Sequence, residues 1–293
     1  MTYTIRSYLH EDTSTYTHLL TDLATKQCAV IDPVMDYDPK AGRTDTDSVD
    51  KILADIEREG LSLKYVFETH AHADHLTSGA YIREKTGAKI VIGNRITGIQ
   101  KVFAGIFNEG PRFVPDGHQF DILFAEGEEM TLGETRIRSM ATPGHTPACS
   151  SYIVEGKDVF VGDTLFMPDV GTARCDFPGG DAGTLYDSVQ KLLALGDDVV
   201  LHLCHDYPPT EREKQSSVTV GEQRKDNIHV GAGKTRDEFI EMRNKRDSGL
   251  EMPRLILPSL QINIRAGDFP EPEDNGVSYL KVPLNQMDGC GSV

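Results

Sequence analysis

The sequence predicts an α/β protein with two sheets, and three observations carry that prediction. Apolar residues recur at i, i+3, i+4 and i+7 in Val49, Ile52, Leu53 and Ile56, the spacing of one buried helix face. This helix and the next alternate with short apolar runs at 63–67 and 89–92, the strand–helix–strand order of an α/β layer. From Phe120 onward the pattern changes, and Gly127, Gly133 and Gly156 separate a second series of hairpin strands.

Taken in order, residues 2–9, 16–23 and 27–31 read as strands, the last two joined by the polar turn Ala24-Thr25-Lys26. Pro33 lacks an amide donor and biases its predecessor to extended geometry, so Asp32 is expected as a turn former in preference to the alternative, a partner that supports a metal ligand, and a polar loop follows to Thr46. Gly60 suits the position past the first helix, and Gly87 stops a second helix at 77–85. Residues 94–117 read as loop with a short helix, in which Phe103, Ile106 and Phe107 cover the core. Strands follow at 120–124, 129–132, 135–141, 150–154 and 158–161. The connection 165–182 is rich in Gly, Pro and Asp; loops of this length in compact domains are often functional, and it is expected to border the site. Thr184 is the expected N-cap of a helix burying Leu185, Val189, Leu192 and Leu193, which leads through Gly196 to a strand at 199–203. Beyond Pro209 the chain turns polar, with a helix at 235–245 and a tail punctuated by Pro253, Pro258, Pro270, Pro272 and Pro283. No second core is legible there. The expected organisation is a catalytic domain of residues 1–235, with the helix and tail of 236–293 wrapping the same domain or a neighbouring subunit. Residues 288–293 read as disordered, with Cys290 an inert thiol.

The composition narrows the function. With 46 acidic and 30 basic residues the formal charge is −16, which disfavours nucleic acid and anionic membrane surfaces as partners while admitting a small anionic substrate. Five widely spaced cysteines, an odd number, argue against a disulfide framework and for a reducing compartment. Residues 1–9 carry no apolar signal core, and no run nears the roughly 18 apolar residues of a membrane span. A cytoplasmic protein is expected.

The chemistry concentrates in Thr69-His70-Ala71-His72-Ala73-Asp74-His75, directly after the strand at 63–67. In extended chain His70 and His72 fall on one side by the period of two, while Asp74 and His75 can turn to a neighbouring position. Imidazole and carboxylate together suit zinc or iron. Three more strand ends run into Thr142-Pro143-Gly144-His145-Thr146, Gly162-Asp163-Thr164 and Cys204-His205-Asp206-Tyr207.

The order H-x-H-x-D-H, P-G-H-T, G-D-T and a late His resembles the metallo-β-lactamase superfamily. The resemblance implies a four-layer αββα sandwich with metal at the strand ends between the sheets. A two-metal site would place His70, His72 and His145 on one ion and Asp74, His75 and His205 on the other, with Asp163 bridging, and would activate water for hydrolysis. A one-metal site would use His70, His145 and Asp163, the facial arrangement of non-haem Fe(II) enzymes. Spacing admits both.

A finer resemblance separates them. The stretch T-H-A-H-A-D-H-L-T-S-G is similar to the persulfide dioxygenases, whereas glyoxalase II enzymes usually carry a bulky aromatic where Ala73 stands and Gly-Gly after the second His. The segments from Ile31 to Pro39, Gly42-Arg43-Thr44 and Arg174-Cys175-Asp176-Phe177 point the same way, although Ala173 and Cys175 replace the Gly and Thr of one branch of that family. The connection and the tail are also longer here. The family implies one Fe(II) per chain and oxidation of glutathione persulfide by O2 to sulfite and glutathione.

In a one-metal site His72, Asp74 and His75 are implied as catalytic neighbours of the ion, with Asp74, His75 and His205 as second-site or supporting groups. Arg174 is the expected partner of a glutathione carboxylate, or else the bearer of a loop-shaping salt bridge to Asp176 or Asp181. Tyr207 is expected to donate to the substrate, and Arg224 and Asn227 match an Arg-x-x-Asn segment near the thiol carrier. A sulfur relay through Cys149, Cys175 or Cys204 is a rival reading with no partner base, and His10, His18, His118, His202 and His229 read as structural. A homodimer is expected. The alternatives are a binuclear thioester hydrolase of glyoxalase II type acting on an acylglutathione and a non-catalytic metal sensor; the complete ligand set argues against the sensor.

Overall fold

A computed structural model describes residues 2–209 and 211–287, so the expectations for 288–293 and Cys290 lie outside the described residues. In chain order the first half contains β1 (Tyr3–His10), β2 (Thr15–Asp22), β3 (Gln27–Ile31), β4 (Val34–Asp38), β5 (Arg43–Asp45), α1 (Asp47–Arg58), β6 (Ser62–Glu68), β7 (Leu76–Thr77), α2 (Gly79–Thr86) and β8 (Lys89–Gly93). Next come α3 (Ile96–Ile106), β9 (Ile122–Phe124), β10 (Glu129–Leu132), β11 (Thr135–Ala141), β12 (Ser150–Val154) and β13 (Asp158–Phe160). The rest comprises α4 (Ala182–Leu193), β14 (Val200–His202), β15 (Ser217–Thr219), α5 (Val220–Asp226), α6 (Arg236–Asp247) and α7 (Ile256–Asn263).

Two six-stranded sheets, ordered β1-β2-β3-β6-β8-β9 and β10-β11-β12-β13-β14-β15, lie face to face. Their facing sides bury Leu20, Ile31, Phe67 and Val91 from the first sheet against Ile137, Tyr152, Val154 and Phe160 from the second. The outer face of the first sheet is covered by Val49, Ile52 and Ile56 of α1, Ile82 of α2, Ile99 and Phe103 of α3, and Ile256 and Leu260 of α7. On the other side Leu185, Val189 and Leu192 of α4 and Phe239 of α6 cover Val159, Leu201 and Val218. This is the four-layer αββα sandwich. Truncating one of these fully enclosed side chains, Ile52→Ala for example, costs about 2–5 kcal/mol.

Several elements differ from expectation. The polar loop before Thr46 folds into the β4–β5 hairpin, and β4 also pairs β7 to make a third, small sheet. The helix in the stretch 94–117 runs three turns, and Phe103 and Phe107 are buried in the core as expected. The N-cap of α4 is Asp181, whose carboxylate accepts from the Thr184 amide at 2.7 Å, so Thr184 lies inside the first turn. The expected helix at 235–245 is α6, closed at its start by a reciprocal capping box between Thr235 and Glu238. Within the proline-rich tail, α7 was not anticipated. Pro258 stands in its first turn, where a missing amide costs nothing.

The second sheet sets the site. β12 runs antiparallel to β11 and β13, and β14 runs parallel to β13, so β11, β13 and β14 share one direction. Their C-terminal ends therefore open on one edge.

Candidate metal centre

Each ligand candidate sits just past a strand that the core holds rigid. His70, His72, Asp74 and His75 follow β6, His145 follows β11, Asp163 follows β13 and His205 follows β14. Two of these turns require glycine. Gly162 has φ +53° and lies against Thr69, so a side chain there would meet the Thr69 hydroxyl at 2.6 Å. Gly144 has φ +139°, and a Cβ would meet Leu185 Cα at 2.3 Å. Close packing of the α4 N-terminus on the His145 turn thus needs a residue without a side chain.

The seven side chains converge. Nε2 of His70 and of His145 lie 3.9 Å and 3.7 Å from one carboxylate oxygen of Asp163. Nε2 of His205 lies 3.4 Å from the other oxygen and 3.1 Å from Asp74. Donor atoms of His70, His145 and Asp163 form one group within 4.8 Å of one another, and those of His72, Asp74, His75 and His205 form a second, so His72, expected with His70 and His145 in a two-metal site, falls with the other set because its ring is drawn towards Asp32 and Glu68.

The histidines divide their nitrogens between protein and centre. His70 Nδ1 bonds the Thr69 hydroxyl at 3.1 Å, His145 Nδ1 donates to the Arg174 carbonyl at 2.8 Å, and His205 Nδ1 lies 3.3 Å from the Ser14 carbonyl. His75 Nδ1 faces Thr15, and His72 Nε2 faces Asp32 at 3.1 Å and Glu68 at 3.5 Å. What remains is unsatisfied: His70 Nε2, His72 Nδ1, His75 Nε2, His205 Nε2, Asp74 Oδ2 and Asp163 Oδ1 are buried with no hydrogen-bond partner. Orphaned buried lone pairs are costly, and their convergence fits a metal ion.

The electrostatics set His72 apart from the other rings. Burial, with His72 and His145 beside it, holds the His70 imidazole well below its usual range, and burial and His72 bring His75 down to about 4, so both are neutral ligands. Burial would also lower His72, but the Asp32 and Glu68 carboxylates outweigh it and raise that ring well above the usual range. Burial raises the Asp163 carboxyl, in part offset by His205 and His145.

Asp32 corrects an expectation. Its backbone does turn, with φ +50°, but its carboxylate accepts from the Thr69 amide and hydroxyl at 2.7 and 2.9 Å and contacts His72, so it orients the first half of the motif. Glu68, adjacent to the motif, escaped notice because a residue within a strand reads as sheet; the Asp-Pro at a strand end was the legible signal for Asp32.

A cleft of about 390 Å³ opens over the centre, lined by Asp74, His145, Asp163, Phe166, Arg174 and Tyr207 among others. The connection 165–182 forms one wall, as expected. Tyr207, 44% exposed at the cleft, stacks on the His205 ring at 5.5 Å and presents a phenol that can donate a hydrogen bond. Arg174 lies over Phe177, but its fork is taken: Nε and Nη2 bond the Asp176 carboxylate at 2.5 and 2.6 Å and Nη1 the Glu251 carbonyl. This is the loop-shaping salt bridge. Arg243 is buried and bound to Asp247, so Arg246 is, among the described residues, the cleft arginine without a carboxylate partner.

Arg224 and Asn227 are not at the centre, a correction with a plain cause. Helix α5 turns Arg224 outward to Asp197 and the Leu193 carbonyl, and Asn227 is consumed by Gly171, Gln223 and the amides of His229 and Val230. Cys149, Cys175 and Cys204 are buried, and burial pushes each thiol up, against a relay. His202 binds Asp158, His10 binds Asp36 and Thr13, and His118 binds Asp116. His18 bonds Ser7 and the Leu203 carbonyl, and His229 accepts from the Thr172 amide. No helix among the described residues is long and apolar enough to cross a membrane.

Comparison with known proteins agrees with this geometry. The chain is 49% identical over 97% of its length, and 100% of the relative's, to a probable metallo-hydrolase of Burkholderia pseudomallei. It is 49% identical to glyoxylase B2 of Dictyostelium discoideum, covering 92% of each chain, and 28% identical to the mitochondrial persulfide dioxygenase ETHE1 of Mus musculus, covering 90% and 88%. Among solved structures, ETHE1 from Myxococcus xanthus superposes with a TM-score of 0.72 at 31% identity, over 90% of this chain and 100% of that one. The family model of the metallo-beta-lactamase superfamily matches residues 11–205, the span from the turn between β1 and β2 to the last candidate ligand. Fold, ligand order and the converging orphan atoms thus have a single explanation: the chain belongs to the metallo-β-lactamase superfamily.

Proposed function

We propose that this protein is a persulfide dioxygenase with one Fe(II) held by His70, His145 and Asp163. The observation that carries this reading is the two-histidine, one-carboxylate group, of which His145 and Asp163 line the cleft and only His70 is enclosed, whereas in the other group Asp74 alone reaches the cleft and His72, His75 and His205 are enclosed. A facial triad leaves positions open for substrate and dioxygen on one side. The similarity to ETHE1 proteins across nearly the whole chain supports the same activity. Bound iron would supply a common site for a soft sulfur and O2. Glutathione persulfide, O2 and water give glutathione, sulfite and two protons; the terminal sulfur loses four electrons and dioxygen takes them.

The chain's own groups divide the remaining tasks. Thr69 and the Arg174 carbonyl orient the His70 and His145 rings. Asp32 and Glu68 hold His72 away from the open side, and Asp74 with His75 and His205 forms the polar wall beside it. Tyr207 donates to the substrate. A substrate carboxylate pairs with Arg246 rather than Arg174, whose fork is occupied.

A second reading has its own support. The group of His72, Asp74, His75 and His205, with Asp163 between the two groups, is the donor set for a second ion, and two relatives at 49% identity are named metallo-hydrolase and glyoxylase. A binuclear site would activate water to cleave an acylglutathione thioester.

Oxygen separates the two. Protein loaded with iron under argon is expected to bind about one Fe per chain, to consume O2 and form sulfite from glutathione persulfide, and to lose both activities in His70→Ala. Oxygen-independent cleavage of S-lactoylglutathione by protein holding two ions, with no O2 uptake on the persulfide, overturns the proposal in favour of the hydrolase.

A further inference from the structure

The metal loop between β6 and β7, residues 69–75, has no helix or strand of its own to hold it. Its carbonyls at His72 and His75 are both claimed by one side chain from the far end of the chain. Asn263, in the last turn of α7 and 3% exposed, donates through Nδ2 to the His72 carbonyl and to the His75 carbonyl, each at 2.8 Å. Its Oδ1 accepts from the Thr77 amide at 2.9 Å. Two donors and one acceptor serve two carbonyls and one amide, which uses the full polarity of a primary amide.

Asn263 is itself fixed. Gln100 of α3 donates to the Ile264 carbonyl at 2.8 Å, and Gly267 turns the chain so closely under β7 that a Cβ there would meet the Ala80 amide nitrogen at 2.9 Å. Leu255 and Ile262 pack on Met35 and Leu76, beside the loop. The amide therefore transmits the position of α7 to the residues between His72 and His75.

We infer that Asn263 is a positioning residue of the metal centre, and that docking of the C-terminal helix α7 and retention of the ion are coupled through it. The inference rests on the metal site alone and not on the reaction proposed for it. Aspartate at this position would face two carbonyls with acceptors only, and alanine would leave both carbonyls and the Thr77 amide without partners.

Two measurements test the coupling, with Zn(II) in air and Fe(II) under argon as probes. In a chelator competition, Asn263→Asp and Asn263→Ala are expected to raise the metal dissociation constant roughly 10- to 100-fold, the scale of outer-shell substitutions. A variant that melts earlier in metal-free and loaded forms alike, with an unchanged dissociation constant, assigns Asn263 a packing role and overturns the inference. Should neither variant fold, the native protein decides. Coupling is reciprocal, so metal loading must slow hydrogen exchange at the Ile264, Arg265 and Gly267 amides that close α7. Identical exchange in both forms overturns it.

Discussion

Every imidazole of the metal centre has one nitrogen engaged by the protein and the other aimed inward, so the chain, and not the ion, chooses each ring's orientation. The ligand types were legible because histidines after apolar runs are unusual; two of their supports were not. Glu68 and Asn263 lie in ordinary sequence contexts, and only the fold brings them to the rings and their loop. Arg174 shows the opposite limit: its identity suggested a substrate contact, but Asp176, two residues on, satisfies it first. Arg174→Lys is accordingly expected to lower the melting temperature by roughly 2–4 °C, the equivalent of about 1 kcal/mol, and to leave KM for glutathione persulfide within about twofold. Arg246→Ala is expected to do the reverse, raising KM several-fold with kcat retained, the signature of a lost uniform binding contact. Steady-state kinetics with thermal melts on both variants checks the pair.

At the scale of elements, periodicity identified what packs on a single face. The apolar stripe of α1 and the strands of the second sheet were legible for that reason. Helix α7 was not, because it is buried nearly all round, which erases the stripe, and because Pro258 disguises its first turn. The start of α4 was misplaced for a related reason: Asp181 and Thr184 are both capping residues, and only the turn geometry shows which one caps. That turn also receives the His145 loop, where Gly144 leaves room for Leu185. Gly144→Ala should therefore displace His145 as well as strain the helix start. A loss on the order of 3 kcal/mol or more in urea unfolding is expected, with metal content reduced in step. Full metal content in a destabilised variant would uncouple the two.

Across the whole molecule, residues after 235 supply α6 to one outer layer and α7 to the other, so the segment that read as a wrapping tail shares both helical cores. The sheets are also joined by polar groups. His18 of β2 bonds Ser7 of β1 within its own sheet and the Leu203 carbonyl beyond β14 in the other, and burial with His202 beside it brings its imidazole down to about 3. The unfolded chain takes up this proton near pH 6.5 and the folded protein does not, so stability falls as the pH drops from about 6.5 towards 3. Between pH 7 and pH 5 the loss from this residue is about 2 kcal/mol. Urea titrations at the two pH values should show it in the native protein, and show it diminished in His18→Gln.

The centre draws its donors from loops of both sheets, with His70 and Asp163 lying 93 positions apart in the sequence. An ion shared between them acts on the polymer as a reversible crosslink. In chain-entropy terms, closing a loop of this length removes roughly 4–5 kcal/mol of freedom from the unfolded ensemble. Proteolytic resistance is then expected to track the free metal concentration, and the mouth of the sandwich to be where a metal-stripped chain first yields to a protease.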